Sequence, residues 1–133
     1  MSFQAAASQQ GRNWEAHVES WLAFHDWSII DRRKVVDDVE IDLVATDPNG
    51  VEWWVEAKGS HRGRRPGCER ADTVKKAVSV AYHLRLGGHV RPYALVTSHL
   101  PLPGSAGDAM LKRALTVRAF TWAGTPHGAP PRL

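Results

Sequence analysis

The stretch "VEIDLVATDPNGVEWWVEAKGS", Val39 to Ser60, decides the fold. It holds two strand-like runs, Val39 to Thr46 and Val51 to Lys58, around a turn. Each run carries charges where a core strand would be apolar. The turn, Asp47-Pro48-Asn49-Gly50, governs how the runs pair. Proline presets φ at the first turn position, asparagine suits the second, and glycine accepts the left-handed conformation after them. That order predicts a three-residue loop, a type I turn closed by a glycine bulge. Asp47 then faces Val51, and counting back places Asp42 opposite Glu56. A two-residue loop would shift the register by one and send the two carboxylates to opposite faces.

Directly opposed residues have β-carbons roughly 4.5–5.5 Å apart, and like charges at that spacing are destabilising. A divalent cation would compensate them, since Mg²⁺ takes one or two carboxylates and completes its octahedron with water and phosphate oxygens. Lys58 lies two residues beyond Glu56 on the same face. Val51, Trp53, Val55 and Ala57 form the opposite, apolar face, which marks a strand within a sheet. Trp54 shares the Glu56 face and would wall the site. An isolated Glu-x-Lys reads as a surface ion pair; Asp42 across the hairpin favours a functional pair instead.

Outward from the hairpin, Asn13 to Phe24 has Trp14, Val18, Trp21 and Leu22 at helical spacing, with Glu15 beside the apolar stripe. Ser28 to Val35 is a strand that ends at the polar break Asp37-Asp38. Asp72 can cap a helix from Thr73 to Leu86 with Val74, Ala77, Val78, Ala81 and Tyr82 inward, stopped by Gly87-Gly88. Pro92 to Ser98 is a short strand, DAMLKRAL a helix, and Val117 to Ala123 a last strand. The order α-β-β-β-α-β-α-β, hairpins first and crossovers after, predicts a mixed sheet flanked by helices. Residues 1–10 read as a flexible arm, 11–124 as one domain, and 125–133 as an irregular Pro-rich tail.

Composition agrees. With 133 residues the chain fits a single domain. No apolar run could cross a membrane, no secretory signal is visible, and the single cysteine, Cys68, excludes an internal disulfide. A reducing cytoplasm is the expected compartment. Lys plus Arg exceed Asp plus Glu by 17 to 14, which suits a polyanionic partner. Directly after Lys58, HRGRRPGCER concentrates Arg62, Arg64, Arg65 and Arg70 in a loop able to follow a phosphate backbone. His61 is the histidine expected to contact phosphate; the others read as structural or solvated, and no HxH or HExxH pair occurs. Nothing marks Cys68 as a nucleophile.

Gly11-x-x-x-Glu15 on the first helix, then Glu40-Ile41-Asp42, then Glu56-Ala57-Lys58, resembles the PD-(D/E)xK nuclease superfamily. The nearest likeness is to its archaeal Holliday-junction resolvase and Mrr-like branches, and it runs from Gly11 to about Ser98. The resemblance implies an α/β, restriction-endonuclease-like fold with an α-β-β-β-α-β core. It implies a metal-dependent endonuclease, acting on DNA as a homodimer, with Mg²⁺ or Mn²⁺ as cofactor. Asp42 and Glu56 match the metal-binding acids, with the Ala57 backbone carbonyl as a further ligand. Lys58 matches the lysine that orients or deprotonates the attacking water, and its pKa should fall beside a cation. Glu15 matches the helix-borne acid of the resolvase-like members, another catalytic residue and optional metal ligand. Lys75 and Lys76 both qualify for the basic position on the following helix. Ile41 replaces the proline of the superfamily label, and Glu19 and Glu40 are spare acids. The alternative is a nucleic-acid-binding or interaction module that keeps the fold without hydrolysis. Against it, such a module has no need of Asp42 opposite Glu56.

Overall fold

The computed structural model describes residues 3–59 and 66–133, with the side chains of residues 3–10 excepted. Its elements follow the expected order: α1 (Phe3–Phe24), β1 (Ser28–Val36), β2 (Val39–Thr46), β3 (Glu52–Lys58), α2 (Ala71–Leu86), β4 (Tyr93–Thr97), α3 (Ala106–Thr116) and β5 (Trp122–Gly124). A single 3-10 turn, Gly67–Glu69, precedes α2. The sheet order is β1-β2-β3-β4-β5, antiparallel across β1, β2 and β3 and parallel from β3 to β5. This is the mixed sheet that hairpins followed by helical crossovers require.

The two faces of β3 divide the core. Trp53, Val55 and Ala57 pack with Leu43, Ala45, Ala94 and Val96 against Trp14, Val18, Trp21 and Leu22 of α1. On the other face Trp54 joins Val44, Tyr93 and Leu95 beneath Val74, Ala77, Val78, Ala81 and Leu84 of α2 and Leu111 of α3. The helical stripes read from the sequence are therefore the buried ones, although Tyr82 is only partly covered and Leu84 takes the deeper place.

The β2–β3 turn has the expected register. Pairs run Thr46↔Glu52, Ala45↔Trp53, Val44↔Trp54 and Leu43↔Val55, so Asp42 and Glu56 come next. Asp47 N–H donates to the Val51 carbonyl at 2.9 Å, and Gly50 sits at φ +81°. The buried Asp47 carboxylate does more than begin the turn. Its Oδ1 accepts from the N–H groups of Asn49 and Val51, each at 2.9 Å, and its Oδ2 accepts from Trp53 Nε1 at 3.1 Å. Between β1 and β2, Asp37 and Asp38 have φ of +48° and +66°. Two consecutive left-handed residues are the two-residue hairpin geometry that Asp tolerates.

Several boundaries differ from expectation. The α1 helix begins at Phe3, because the Ala- and Gln-rich residues 3–10 are good helix formers that extend it backwards. The N-cap of α2 is Arg70 with no side-chain cap, and Asp72 lies in the first turn, where its charge suits the helix dipole. The last strand is Trp122–Gly124 and not Val117 to Ala123. Val117 ends α3, Arg118 turns at φ +61°, and Ala119 and Phe120 are buried as a plug beside α3. Residues 125–133 lack regular structure but are tied down, with Trp21 Nε1 donating to the Gly128 carbonyl at 3.0 Å. Among the described residues no helix is long and apolar enough to cross a membrane.

Asp47→Ala should strand two backbone N–H groups and one buried indole N–H, costing about 2–4 kcal/mol. Asp47→Asn, which keeps an acceptor, should recover part of it. Urea unfolding of the two variants checks this, and equal loss in both would show that the acceptor is not what matters.

Candidate active site

Asp42, Glu56 and Lys58 meet at the open end of the β2–β3 ladder. Asp42 lies between the fully buried Ile41 and Leu43, and its Oδ2 accepts from the Ala57 N–H at 2.8 Å. Glu56 is 3% exposed. Its Oε2 accepts from the Tyr93 hydroxyl at 2.7 Å, and its Oε1 lies 3.2 Å from Lys58 Nζ. Being central in the sheet, β3 holds these side chains from both sides: Glu56 pairs with Leu95 and Lys58 with Thr97 on β4. Gly59 then turns away under the Trp14 indole, where a Cβ would meet ring atoms at 2.4–2.7 Å.

The electrostatics follow from burial. Desolvation pushes the Glu56 carboxyl up to about 8, helped by the charge of Asp42 and a hydrogen bond with it, against the opposing pull of Lys58 and Tyr93. Burial also raises the Tyr93 hydroxyl, which stays a donor. For Lys58 burial pulls down, but the Glu56 and Asp42 charges outweigh it and hold the ammonium above its ordinary value. The downward shift expected beside a cation is therefore not present without one. Cys68 is buried, and burial raises its thiol, in keeping with an inert side chain.

The acids border a cleft of about 580 Å³ lined by Val39, Glu40, Asp42, Glu56, Lys58 and, from α2, Lys75, Lys76, Ser79 and Val80. Both candidate lysines of α2 line it, so the geometry keeps both. Glu15 is placed differently. Its Oε2 is 3.2 Å from Arg33 Nη2, while Glu19 is held by Arg32 at 2.6 Å. Burial raises the Glu15 carboxyl, and the nearby Asp42 charge raises it further. Among the described residues no three His, Cys, Asp or Glu side chains form a group that could hold a metal ion; Glu15, bonded to Arg33, is a neighbour of the Asp42–Glu56 pair. Trp54 does not wall this cleft. It packs at 5.5 Å from His89 and lines a separate groove with Lys34, Glu52 and Arg91. His61, Arg62, Arg64 and Arg65 lie outside the described residues. Tyr93, Ser79 and Arg33 were not anticipated from the sequence; no local signal marks a strand tyrosine whose partner is 37 residues away or a helix serine that lines a cleft.

The residues present fit a hard divalent cation. The donors are oxygens only, and two buried carboxylates facing one lysine leave an excess of negative charge that, with burial, raises the Glu56 carboxyl. Asp42, Glu56 and the Ala57 carbonyl would hold such an ion.

No family model matches the chain. Its fold is similar to that in the structure of an EndoMS–dsDNA2 complex, with TM-score 0.52, 16% identity, and coverage of 93% of this chain and 46% of that one. It also matches Pyrococcus furiosus SfsA in complex with Ca²⁺, with TM-score 0.45, 20% identity, and coverage of 90% and 55%. The chain spans about half the length of each. The fold is restriction-endonuclease-like, an α/β architecture with a mixed five-stranded sheet flanked by helices.

Glu56 yields a pH test of the metal-free protein. A carboxyl raised in the folded state stabilises it below the unfolded value near 4.5, and that stability is lost as pH rises toward 8. Glu56→Gln should therefore gain stability relative to wild type across this window, each 1 kcal/mol moving the melting midpoint by roughly 3–5 °C. Excess Mg²⁺ should reduce the gain. A difference in midpoint that stays constant from pH 5 to 8.5 would exclude the buried-proton account.

Proposed function

We propose that the protein is a divalent-metal-dependent nuclease that hydrolyses phosphodiester bonds in DNA. One observation carries this reading: a buried Asp42–Glu56 pair, bonded to Lys58, opens on a cleft edged by Lys75 and Lys76. A structural ion pair would be met by a matching cation and covered. Here the excess acid faces a groove whose rim is basic.

When bound, Mg²⁺ or Mn²⁺ lowers the pKa of water and neutralises charge on a phosphoryl group. Asp42 is oriented for this by the Ala57 N–H, and Glu56 by the Tyr93 hydroxyl. Lys58, 3.2 Å from Glu56 Oε1, would stand beside an ion held there, where its ammonium could hydrogen-bond the attacking water and a phosphate oxygen. Lys75 and Lys76, both exposed on α2, supply positive charge for the neighbouring backbone phosphates. His61, Arg62, Arg64 and Arg65, immediately after Lys58 in sequence, extend that track in the proposal. The fold it shares with a protein solved on dsDNA supports DNA as the polymer. One cleft per chain serves one strand, so cutting a duplex or a junction calls for a homodimer.

Cleavage of linear, nicked, flapped and four-way DNA in Mg²⁺ or Mn²⁺ tests the reading. Asp42→Ala and Glu56→Ala should abolish metal-dependent turnover, and Lys58→Ala should lower kcat by about 10²–10⁴-fold. Undiminished turnover in Glu56→Ala would overturn the assignment.

The arginine segment has its own test. In a Glu56→Gln background, Arg62/Arg64/Arg65→Ala should flatten the slope of log K against log salt by roughly one unit per lost phosphate contact. An unchanged slope in a salt series would remove this segment from the DNA path.

A further inference from the structure

Arg32 and Arg33 are consecutive on β1, and consecutive strand residues point to opposite faces. Both nevertheless reach the same helix. Arg32 forks onto Glu19 at 2.6 and 2.9 Å, and Arg33 reaches Glu15, one turn away, at 3.2 Å. The backbone explains this. Arg33 has φ of +52°, a left-handed conformation that is strained for an arginine within a strand.

The register says what that conformation accomplishes. Arg32 pairs with Leu43 and Lys34 with Ile41, so Arg33 stands across from Asp42. Leu43 belongs to the α1 face of the core, as does the contact of Arg32. A regularly extended Arg33 would thus share the face of Asp42 and offer it a guanidinium. The left-handed residue sends the guanidinium to Glu15 instead. Asp42 keeps its open side toward the cleft, while Glu15, close enough to feel the Asp42 charge, is held by Arg33.

We infer that Arg33 is a positioning residue whose left-handed backbone diverts its side chain from Asp42 to Glu15, so that Glu15 is restrained apart from the Asp42–Glu56 pair. The strain is local and the contact is half exposed, with the Arg33 side chain 46% accessible. A surface ion pair of this kind adds little stability. Its effect is on which groups surround a cation beside Asp42. The inference rests on Asp42 and Glu56 being the ion-holding residues.

The test uses Mn²⁺ alone, followed by electron paramagnetic resonance or calorimetry, with no nucleic acid. Arg33→Gly and Arg33→Asn both accept the left-handed backbone and lack the guanidinium. Each should tighten Mn²⁺ binding by roughly three- to tenfold, about one added charge-assisted contact. In a Glu15→Gln background the same substitutions should have little effect, giving a coupling in the double-mutant cycle. Arg33→Lys, which keeps the charge but not the guanidinium, should fall between. Two results would overturn the inference: Mn²⁺ affinity unmoved by Arg33→Gly and Arg33→Asn, or equal tightening with and without Glu15, which is a plain charge effect. If Mn²⁺ affinity is instead insensitive to Glu56→Gln, the ion site itself is misassigned, and the role given to Arg33 falls with it.

Discussion

The register of one hairpin governs the rest of the molecule. A three-residue loop closed by Gly50 sets Asp47 against Val51, and everything along the two strands is counted from there. The Asp47 carboxylate holds that count by occupying two turn N–H groups and the indole of Trp53 at once. The indole bond links the turn to the core face, so slipping the strands by one residue would break the turn and expose Trp53 together. With that slip forbidden, Asp42 and Glu56 face each other whether or not their charges approve. The core determines where the acids are; the acids do not determine the core.

Holding two carboxylates together in a buried place has consequences for their neighbours. The protein answers with Lys58 and the Tyr93 hydroxyl on the two Glu56 oxygens, while burial and the Asp42 charge raise the Glu56 carboxyl. On the proposed reading a cation held by the pair would compete with Lys58 for Glu56, and the Tyr93 hydroxyl would still orient the Glu56 side chain. The groups that hold the two acids would also, on that reading, stand beside a bound ion.

Much of this was legible in the sequence, and the reasons are local. Period-two alternation from Val51 to Lys58, the Asp-Pro-Asn-Gly turn and the helical stripe of Trp14, Val18, Trp21 and Leu22 each encode structure within a few residues. They yielded the strand order, the register and the pairing of Asp42 with Glu56. What escaped depends on contacts distant along the chain. VRAFTWA alternates like a strand, yet Ala119 and Phe120 are spent filling the space beside α3, leaving only Trp122–Gly124 to pair. Tyr93 meets Glu56 from 37 residues away. Trp54 shares the face of Glu56, but the twist of the sheet gives it to another groove. Periodicity assigns faces; it does not say what stands over each part of a face.

The position of Lys58 illustrates how α1 bears on the site through packing. Trp14 donates its indole N–H to the Val96 carbonyl on β4 at 3.3 Å, which pins the first helix across the strands. Its ring then lies where any side chain at residue 59 would have to go, so the chain after Lys58 passes as glycine. The helix therefore controls the exit of β3, one residue from the lysine. The same helix carries Glu15 and Glu19, each held by an arginine of β1. One rigid element thus sets both the end of the strand bearing Glu56 and Lys58 and the approach of the neighbouring acid. A shift of α1 along the sheet would move both together, because Trp14 and Glu15 are adjacent residues on a single helix.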